Sequence, residues 1–497
     1  MALHGEQPAL ASQDGVSRGQ GAGSAHWNNL EFWRLLSGLP VAMVVGLLLR
    51  VLLIGAKSLW LDEAYTLWVA RAGLAAWVGG APEPFYPPLY YAFLQYWIQL
   101  GQSESILRLS SALFGVLAIP AAFLLARSLK GTGVARSAAW LVALAPLLVW
   151  YSQEFRGYSM LVFLGLLSSL AFVRLLLHPK GLALVGWWLL YVVATAAALY
   201  THYDAVLVLP IQLSLLLVLS AQRRMSAFGL GAVLVAWPAI IAVYWPWLNS
   251  PAARGFLTAM SLTGAEPGVL LGQALGVSLR AASLVSIAFG VVLVSILAGA
   301  WLFTCSRDVW PAIYRSRAVR AALVVAFIML LILSVWPRGY SFKRHLVIFV
   351  PFICLVVAWF WPWAGRFSRT LAALLLLSAI ASLVNVIAIP KDDWKAAAGF
   401  LQAAYQEGDA IWIAPGYDSV PFEYYNRSRL PVVEINDPQP GSDALPLPRG
   451  RIWLVYNKAP TMLVDAGPKL EAELARRLDR AQEWSAYRIR VVLFVPQ

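Results

Sequence analysis

"VAMVVGLLLRVLLIGAKSLWLDEAYTLW", residues 41–68, runs almost wholly apolar to Gly55 and then delivers two adjacent carboxylates, Asp62 and Glu63. Its first part, with the residues around it from 39 to 56, approaches the roughly 20 apolar residues that a membrane crossing needs. Its second part places charge where charge is otherwise scarce. Composition decides which solvent this stretch expects. Of 497 residues, 60% are hydrophobic and only 13% charged, and the mean hydropathy is +0.68. A soluble domain carries roughly 25% charged residues and buries a limited share of its surface. This chain needs lipid around it. Its 23 Trp, 19 Tyr and 21 Phe suit helices that end at headgroup level.

The net charge of +13 does not indicate nucleic acid. Residues 1–390 hold 25 Lys/Arg against 11 Asp/Glu, whereas residues 391–497 hold 13 against 14. The whole excess lies in the apolar part, as the positive-inside rule and attraction to anionic lipid heads require. Residues 1–38 form a polar leader, rich in Gly, Ala, Gln and Ser, and the approach to the first span. They lack the basic start and apolar core of a signal peptide, so a cytoplasmic leader before an uncleaved anchor is expected. Cys305 and Cys354 fall in or beside apolar runs and read as packing residues.

Eleven candidate spans follow: 39–56, 105–126, 137–150, 159–177, 182–200, 205–221, 227–244, 281–303, 320–336, 346–361 and 370–389. With the N-terminus inside, the inner loops collect Arg127, Lys130, Arg136, Arg174, Lys180, Arg223, Arg224, Arg307, Arg315, Arg317, Arg320, Arg366 and Arg369, with Asp308 as their only acid. The outer side receives Asp62, Glu63, Glu83, Glu104, Glu154, Asp204 and Glu266. The expected fold is thus a polytopic α-helical membrane domain over residues 39–390, of about 11 transmembrane helices, with an outer loop over 57–104. "PPLYYAFLQYWIQL" (87–100) is short for a crossing and opens on two prolines. It reads as an outer interfacial or re-entrant helix.

Beyond Pro390 the texture changes to a small α/β domain, residues 391–497, outside the membrane. "DDWKAAAGFLQAAY", "VPFEYYNR" and "PKLEAELARRLDR" read as helices, and "DAIWIAPG", "RIWLVYN" and "YRIRVVLFVP" as strands. No dinucleotide, P-loop or CxxC motif occurs.

Four polar stretches meet at the outer side. Asp62 suits a helix N-cap, but capping needs one acid and the pair stands beside Trp60, Tyr65 and Trp68. Ionisable groups near lipid are costly and mark function. "WYSQEFRGYSM" (150–160) brings Glu154, Arg156, Tyr151 and Tyr158, either as a local salt bridge or as a polar cluster for a hydroxyl-rich ligand. "LYTHYDAV" (199–206) brings His202, Tyr203 and Asp204, which suit a helix end, a sugar or, with another carboxylate, a divalent ion. "WPRGYSFKRHLVIFVP" (336–351) holds Arg338, Lys343, Arg344 and His345 on the side that disfavours them. A phosphate would explain both place and sign. Carboxylates facing a phosphate-sized basic group could move a group from a phosphate-bearing lipid to a hydroxyl. A transporter or flippase of lipid-linked sugars is the alternative, motivated by the many helices and by Arg50 inside the first span. A scaffold whose tail binds a partner is a third, weaker one.

"LWLDEAYT" (59–66), "YPPLYYAFLQYWIQLGQSESILRLSSALFGVLAIPAAFLLAR" (86–127), "YSQEFRGYSM", "THYDAVLVLP", "KRHLVIFVP" and "KDDWKAAAGFL" carry a resemblance. Over residues 40–400 the chain resembles the GT-C membrane glycosyltransferases of the dolichyl-phosphate-mannose–protein mannosyltransferase and lipid A aminoarabinose transferase type. The resemblance implies a GT-C fold in the plasma membrane, with the C-terminal domain extracytoplasmic. It implies a polyprenyl-phosphate monosaccharide as donor, a hydroxyl on a lipid, glycan or protein as acceptor, and inverting displacement. Carried over, Asp62 resembles the general base, with Glu63 and Glu154 as its catalytic companions. Arg156, Lys343 and Arg344 then hold the donor phosphate, and Tyr65, Tyr86, Tyr90, Tyr151, His202, Tyr203 and Asp204 contact substrate. Many relatives have His-Pro-Pro or Glu-Lys-Pro where this chain has Tyr86-Pro87-Pro88, which speaks against a tightly bound ion. No metal ligand and no cofactor is assigned, and a divalent cation stays an open alternative.

Overall fold

The computed structural model describes residues 29–78, 87–177, 180–222, 224–251, 253, 344, 347–360, 373, 377, 380, 384, 388–435, 448, 450–458 and 466–497. The candidate spans 281–303 and 320–336, most of 370–389, and the residues Tyr86, Lys343 and His345 lie outside them.

Within the described part, five helices are long and apolar enough to cross a membrane, or six if one bent pair counts as a single crossing. The chain is a multi-pass membrane protein. In order come α1 (Asn29–Val51), α2 (Leu61–Val78), α3 (Leu89–Trp97), α4 (Glu104–Lys130), α5 (Thr132–Leu144), α6 (Pro146–Ser152), α7 (Tyr158–Leu176), α8 (Leu182–Leu199), α9 (Val208–Ala221), α10 (Ala227–Leu248) and α11 (Val350–Phe360). α7 is apolar all round and buried along most of its length, which makes it the centre of the bundle. α8 and α10 instead turn Leu182, Val185, Leu189, Val193, Phe228, Leu234, Val235 and Ile241 outward, an apolar surface suited to lipid contact. α3 has nine residues and is too short to cross. It packs against α2 and α4 at the end of the bundle where the polar stretches meet.

The expected span 137–150 is broken. α5 and α6 bend by 55° at Ala145-Pro146. Proline has no N–H, so the carbonyl of Val142 loses its partner four residues on. Arg50 supplies the replacement: Nη2 donates to Val142 O (3.1 Å), Nη1 to Ala143 O and Gly46 O (both 2.9 Å), and Nε to Ser152 Oγ (3.2 Å). A cation at a helix C-terminus also complements the dipole. α4 passes so close here that a Cβ on Gly115 would stand 2.0 Å from Ser152 Oγ.

The C-terminal unit holds α12 (Trp394–Ala404), β1 (Ala410–Ile413), α13 (Ser419–Tyr425), β2 (Val432–Glu434), β3 (Ile452–Asn457), α14 (Ala466–Leu474), β4 (Asp479–Ser485) and β5 (Ile489–Val495). The strands form one mixed sheet, β2-β1-β3-β5-β4, parallel across β2-β1-β3 and antiparallel across β3-β5-β4. Alternation sorts its faces. Ile411, Ile413, Trp453, Val455, Ile489 and Val491 turn toward α12 and the bundle, while Trp412, Leu454, Tyr456, Val492 and Phe494 turn toward α14. α12 buries Trp394, Ala397, Ala398 and Leu401, the spacing of one helical stripe. The helix expected over 468–480 stops at Leu474; residues 475–478 turn, and Asp479 and Arg480 open β4, which pairs with β5. Arg476 and Arg477 are good helix formers, so pairing of the residues that follow them with β5 overrides local propensity here. The inner face of the sheet shares one apolar cluster with Leu59, Leu67, Tyr90, Leu107, Phe155 and Ile348. Bundle and tail are therefore continuous.

Candidate active site

α2 opens at Leu61, so Asp62 sits in the first turn and not at the cap position. Both acids there complement the helix dipole. One helical step turns them by roughly 100°, and they part company.

Glu63 goes inward and is fully buried. Oε1 accepts from Arg108 Nε (2.8 Å) and the Phe155 amide (2.9 Å), and Oε2 accepts from Arg108 Nη2 (2.7 Å) and Lys391 Nζ (3.0 Å). A carboxylate offers about four lone-pair positions, and all are taken. Burial alone would raise its pKa, but the Arg108 guanidinium, Lys391 and the Phe155 amide hold it down at about 2. Arg108 is equally saturated, since its remaining N–H groups go to Ile54 O (2.9 Å), Lys57 O (2.8 Å) and Ser58 O (2.9 Å). The pair fixes the turn that joins α1 to α2. Glu63 is thus placed as a locked anion.

Asp62 goes outward, with its side chain 28% exposed. Its carboxylate lies 3.9 Å from Arg156 Nη2 and 3.9 Å from Arg344 Nη1. Those separations exceed hydrogen-bond length. Arg156 is held from behind: Nη1 donates to Asp62 O (3.1 Å) and to Thr66 Oγ1 (2.8 Å), and Ser111 Oγ donates to its carbonyl (2.9 Å). Arg344 is the described representative of the basic stretch before α11.

Beside Arg156 a small open-mouthed cavity is lined by Thr66, Tyr90, Tyr91, Arg156, Gly157, Tyr158, Thr201 and His202. Tyr90 reaches Ser110 Oγ (3.0 Å) and Ser111 Oγ (2.8 Å) through its hydroxyl. Gly157 is set by that ring, for a Cβ there would meet Tyr90 Cγ at 3.3 Å. His202 Nδ1 accepts from the Asp204 amide (3.0 Å), so its ring is oriented by its own turn.

The structure brings Asp62, Arg156, Arg344, Tyr90 and His202 together at one end of the bundle. Glu154 is buried, accepts from Trp150 Nε1 (3.0 Å) and lies 3.8 Å from Lys391. Tyr65, Tyr151, Tyr203 and Asp204 do not line this cavity. Tyr65 lies tilted beside Trp68 (5.4 Å between ring centres), and Tyr151 packs edge-on against Tyr158 (5.0 Å). Asp204 is buried 3.4 Å from His202 Nδ1. Among the described residues no group of three His, Cys, Asp or Glu side chains is arranged to hold a metal ion.

ArnT of Cupriavidus metallidurans in the apo state superimposes with a TM-score of 0.51 at 16% identity, over 94% of this chain and 98% of that one. The fold is that of the GT-C membrane glycosyltransferases. ArnT bound to undecaprenyl phosphate gives 0.47 at 17% identity, over 93% of this chain and 98% of that one. The Archaeoglobus fulgidus oligosaccharyltransferase AglB, with an inhibitory peptide and a dolichol phosphate, gives 0.48 at 12% identity over 80% of this chain. This chain spans 64% of the AglB length. No protein-family model matches the chain, and neither does any curated protein sequence.

Within this GT-C fold, sequence reasoning left Arg108, Lys391, Thr66 and Thr201 without a role. Arg108 carried a signal: it is a full charge inside the apolar stretch that opens α4, and such a charge needs a partner.

Proposed function

We propose that the chain is a glycosyltransferase that moves a monosaccharide from a polyprenyl-phosphate donor to an acceptor hydroxyl, with inversion at the anomeric carbon. One observation carries the reading: a solvent-reached carboxylate stands between two guanidinium groups at 3.9 Å each, beside a cavity rich in hydroxyls. Two cations around one anion leave net positive charge, which suits a phosphate. Asp62 takes the proton of the acceptor hydroxyl as that oxygen attacks the anomeric carbon. The bond to the phosphate oxygen breaks, and Arg156 and Arg344, with Lys343, stabilise the departing phosphate. Tyr90, Tyr158, Thr201 and His202 orient the sugar within the cavity.

Glu63 enters as an electrostatic support and not as a proton carrier. The assignment of residues 39–390 to the catalytic membrane domain and 391–497 to an extracytoplasmic tail belongs to this proposal. So does an N-terminus inside and a site at the outer face of a bacterial plasma membrane, for which the loop charges are the support. Arg50, which motivated the transport alternative, has its donors committed to backbone carbonyls and Ser152.

The test is transfer from a panel of labelled undecaprenyl-phosphate sugars by the full chain in nanodiscs. Product formation that Asp62→Asn removes is the expected result. A folded Asp62→Asn protein turning over at the wild-type rate would reject Asp62 as the base.

A further inference from the structure

Lys391, Asp392 and Asp393 lead from the bundle into α12, and each is engaged in a different direction. Asp393 accepts from the Ala396 amide (3.1 Å) and caps α12. Asp392 faces the sheet: its carboxylate accepts from Asn457 Nδ2 (2.9 Å) and lies 3.6 Å from Arg488. The Asp392 carbonyl accepts from Ser58 Oγ (2.7 Å), which pins the segment to the turn before α2. Lys391 points the other way. Its ammonium is 3.0 Å from Glu63 Oε2 and 3.8 Å from Glu154 Oε1, and its side chain is only 12% exposed.

Glu63 and Glu154 belong to different elements, the start of α2 and the 153–157 loop. Arg108 pairs with Glu63 from one side, and the Lys391 ammonium, lying between the two buried carboxylates, offsets the repulsion that remains. The same loop gives the Phe155 amide to Glu63 and carries Arg156 to Asp62. Docking of the tail does not require this arrangement. The Leu59 amide donates to Tyr425 Oη (2.7 Å), and the shared apolar cluster joins the two units independently. A tether has no need to reach two acids beside the cavity.

We propose that Lys391 is a positioning residue: its ammonium holds Glu63 and Glu154 side by side and so locks the loop bearing Arg156 against the start of α2. The C-terminal unit is then part of the active site. The inference rests on the transferase reading for its catalytic consequence, but its structural content stands by itself.

Hydrogen exchange separates the two. In the full chain in nanodiscs, Lys391→Met raises amide exchange across residues 153–157 about tenfold or more by local opening. Lys391→Arg keeps the charge and stays close to wild type. Asp392→Asn loosens the ends of α12 and β3 while leaving the 153–157 segment protected, because it removes a sheet contact and not the clamp. Should Lys391→Met fail to fold, Lys391→Gln carries the same measurement. Undecaprenyl phosphate is the probe for the second readout, and its dissociation constant rises about tenfold in Lys391→Met, or roughly 1.4 kcal/mol, with rescue by Lys391→Arg. Unchanged exchange over residues 153–157 in folded Lys391→Met overturns the inference. Wild-type protein that ignores undecaprenyl phosphate while Lys391→Met still opens the loop counts against the transferase reading alone.

Discussion

Asp62 and Glu63 share a peptide bond, yet the first lies 28% exposed between Arg156 and Arg344 while the second is sealed among Arg108, Lys391 and the Phe155 amide. The difference is one of coordination more than of charge. Glu63 has a donor at every lone pair and a pKa near 2, so it has neither room nor affinity for a proton near neutral pH. Asp62 faces its cations at 3.9 Å, beyond hydrogen-bond length, and its carboxylate is still reached by solvent. An acid that must exchange a proton needs the looser arrangement, and an acid that must hold a turn in place needs the tighter one.

The largest effect that could break this comparison is on turnover. Asp62→Asn is expected to lower kcat/KM by roughly 10²–10⁴ through loss of the base, with the unfolding midpoint almost unmoved. If Glu63→Gln abolished transfer while leaving stability intact and Asp62→Asn did not, the two roles would be exchanged. Next comes stability. Removing one member of the buried pair, by Arg108→Met or by Glu63→Leu, strands its partner and costs about 3–5 kcal/mol. The double variant costs clearly less than the two singles together, because the pair leaves as a unit and Lys391 keeps Glu154 as its counter-charge. Additive losses in thermal unfolding would show that the pair is not a unit.

Much of the fold was legible in hydropathy. α4, α7, α8 and α10 stand where long apolar runs placed them, and α12 follows from a single apolar stripe. The break between α5 and α6 was not read, because its cause is a proline whose lost hydrogen bond is mended by Arg50 from another helix. The site was half legible. An acidic pair at a membrane edge announced itself, but which acid faces the cavity depends on where α2 begins, and one residue of shift would swap them. Arg108 and Lys391 were hidden for the same reason. Their meaning is a contact between segments 45 and 328 positions from Glu63, and no local pattern records that.

The cations around Asp62 sharpen the contrast at a smaller scale. Arg344→Gln removes one charge-assisted bond to a bound phosphate, worth about 1.5–3 kcal/mol, and weakens undecaprenyl phosphate binding accordingly. Arg156→Lys is expected to do nearly as much harm despite keeping its charge. A lysine cannot hold Thr66 Oγ1 and Asp62 O while also facing the carboxylate, as the planar guanidinium does. Isothermal titration in nanodiscs at two salt concentrations checks both. Wild-type affinity in Arg156→Lys would mean that charge alone, and not the fork, matters there.

Another buried carboxyl supplies the smallest effect and the cleanest control. Asp418, on the turn before α13, is buried, and neither carboxylate oxygen has a hydrogen-bond partner among the described residues. Burial first, and the nearby Asp392 second, push its pKa from 3.8 up to about 8, opposite in direction to Glu63. The signs of the two pH dependences therefore differ. Asp418 binds its proton more tightly in the folded chain, so the stability it confers is complete below pH 3.8 and is lost as pH rises toward about 8. Glu63 binds its proton less tightly when folded, so its contribution is present above pH 4.5 and is lost as pH falls through about 2. Thermal unfolding followed from pH 6 to 9 should decline by no more than about 1.4 kcal/mol per pH unit on account of one such group. Asp418→Asn should flatten that decline, because an amide of the same shape has no proton to lose. A decline of the same slope in Asp418→Asn would mean that the folded protein already holds Asp418 ionised. Burial without a cation would then not suffice to tell this carboxyl from Glu63.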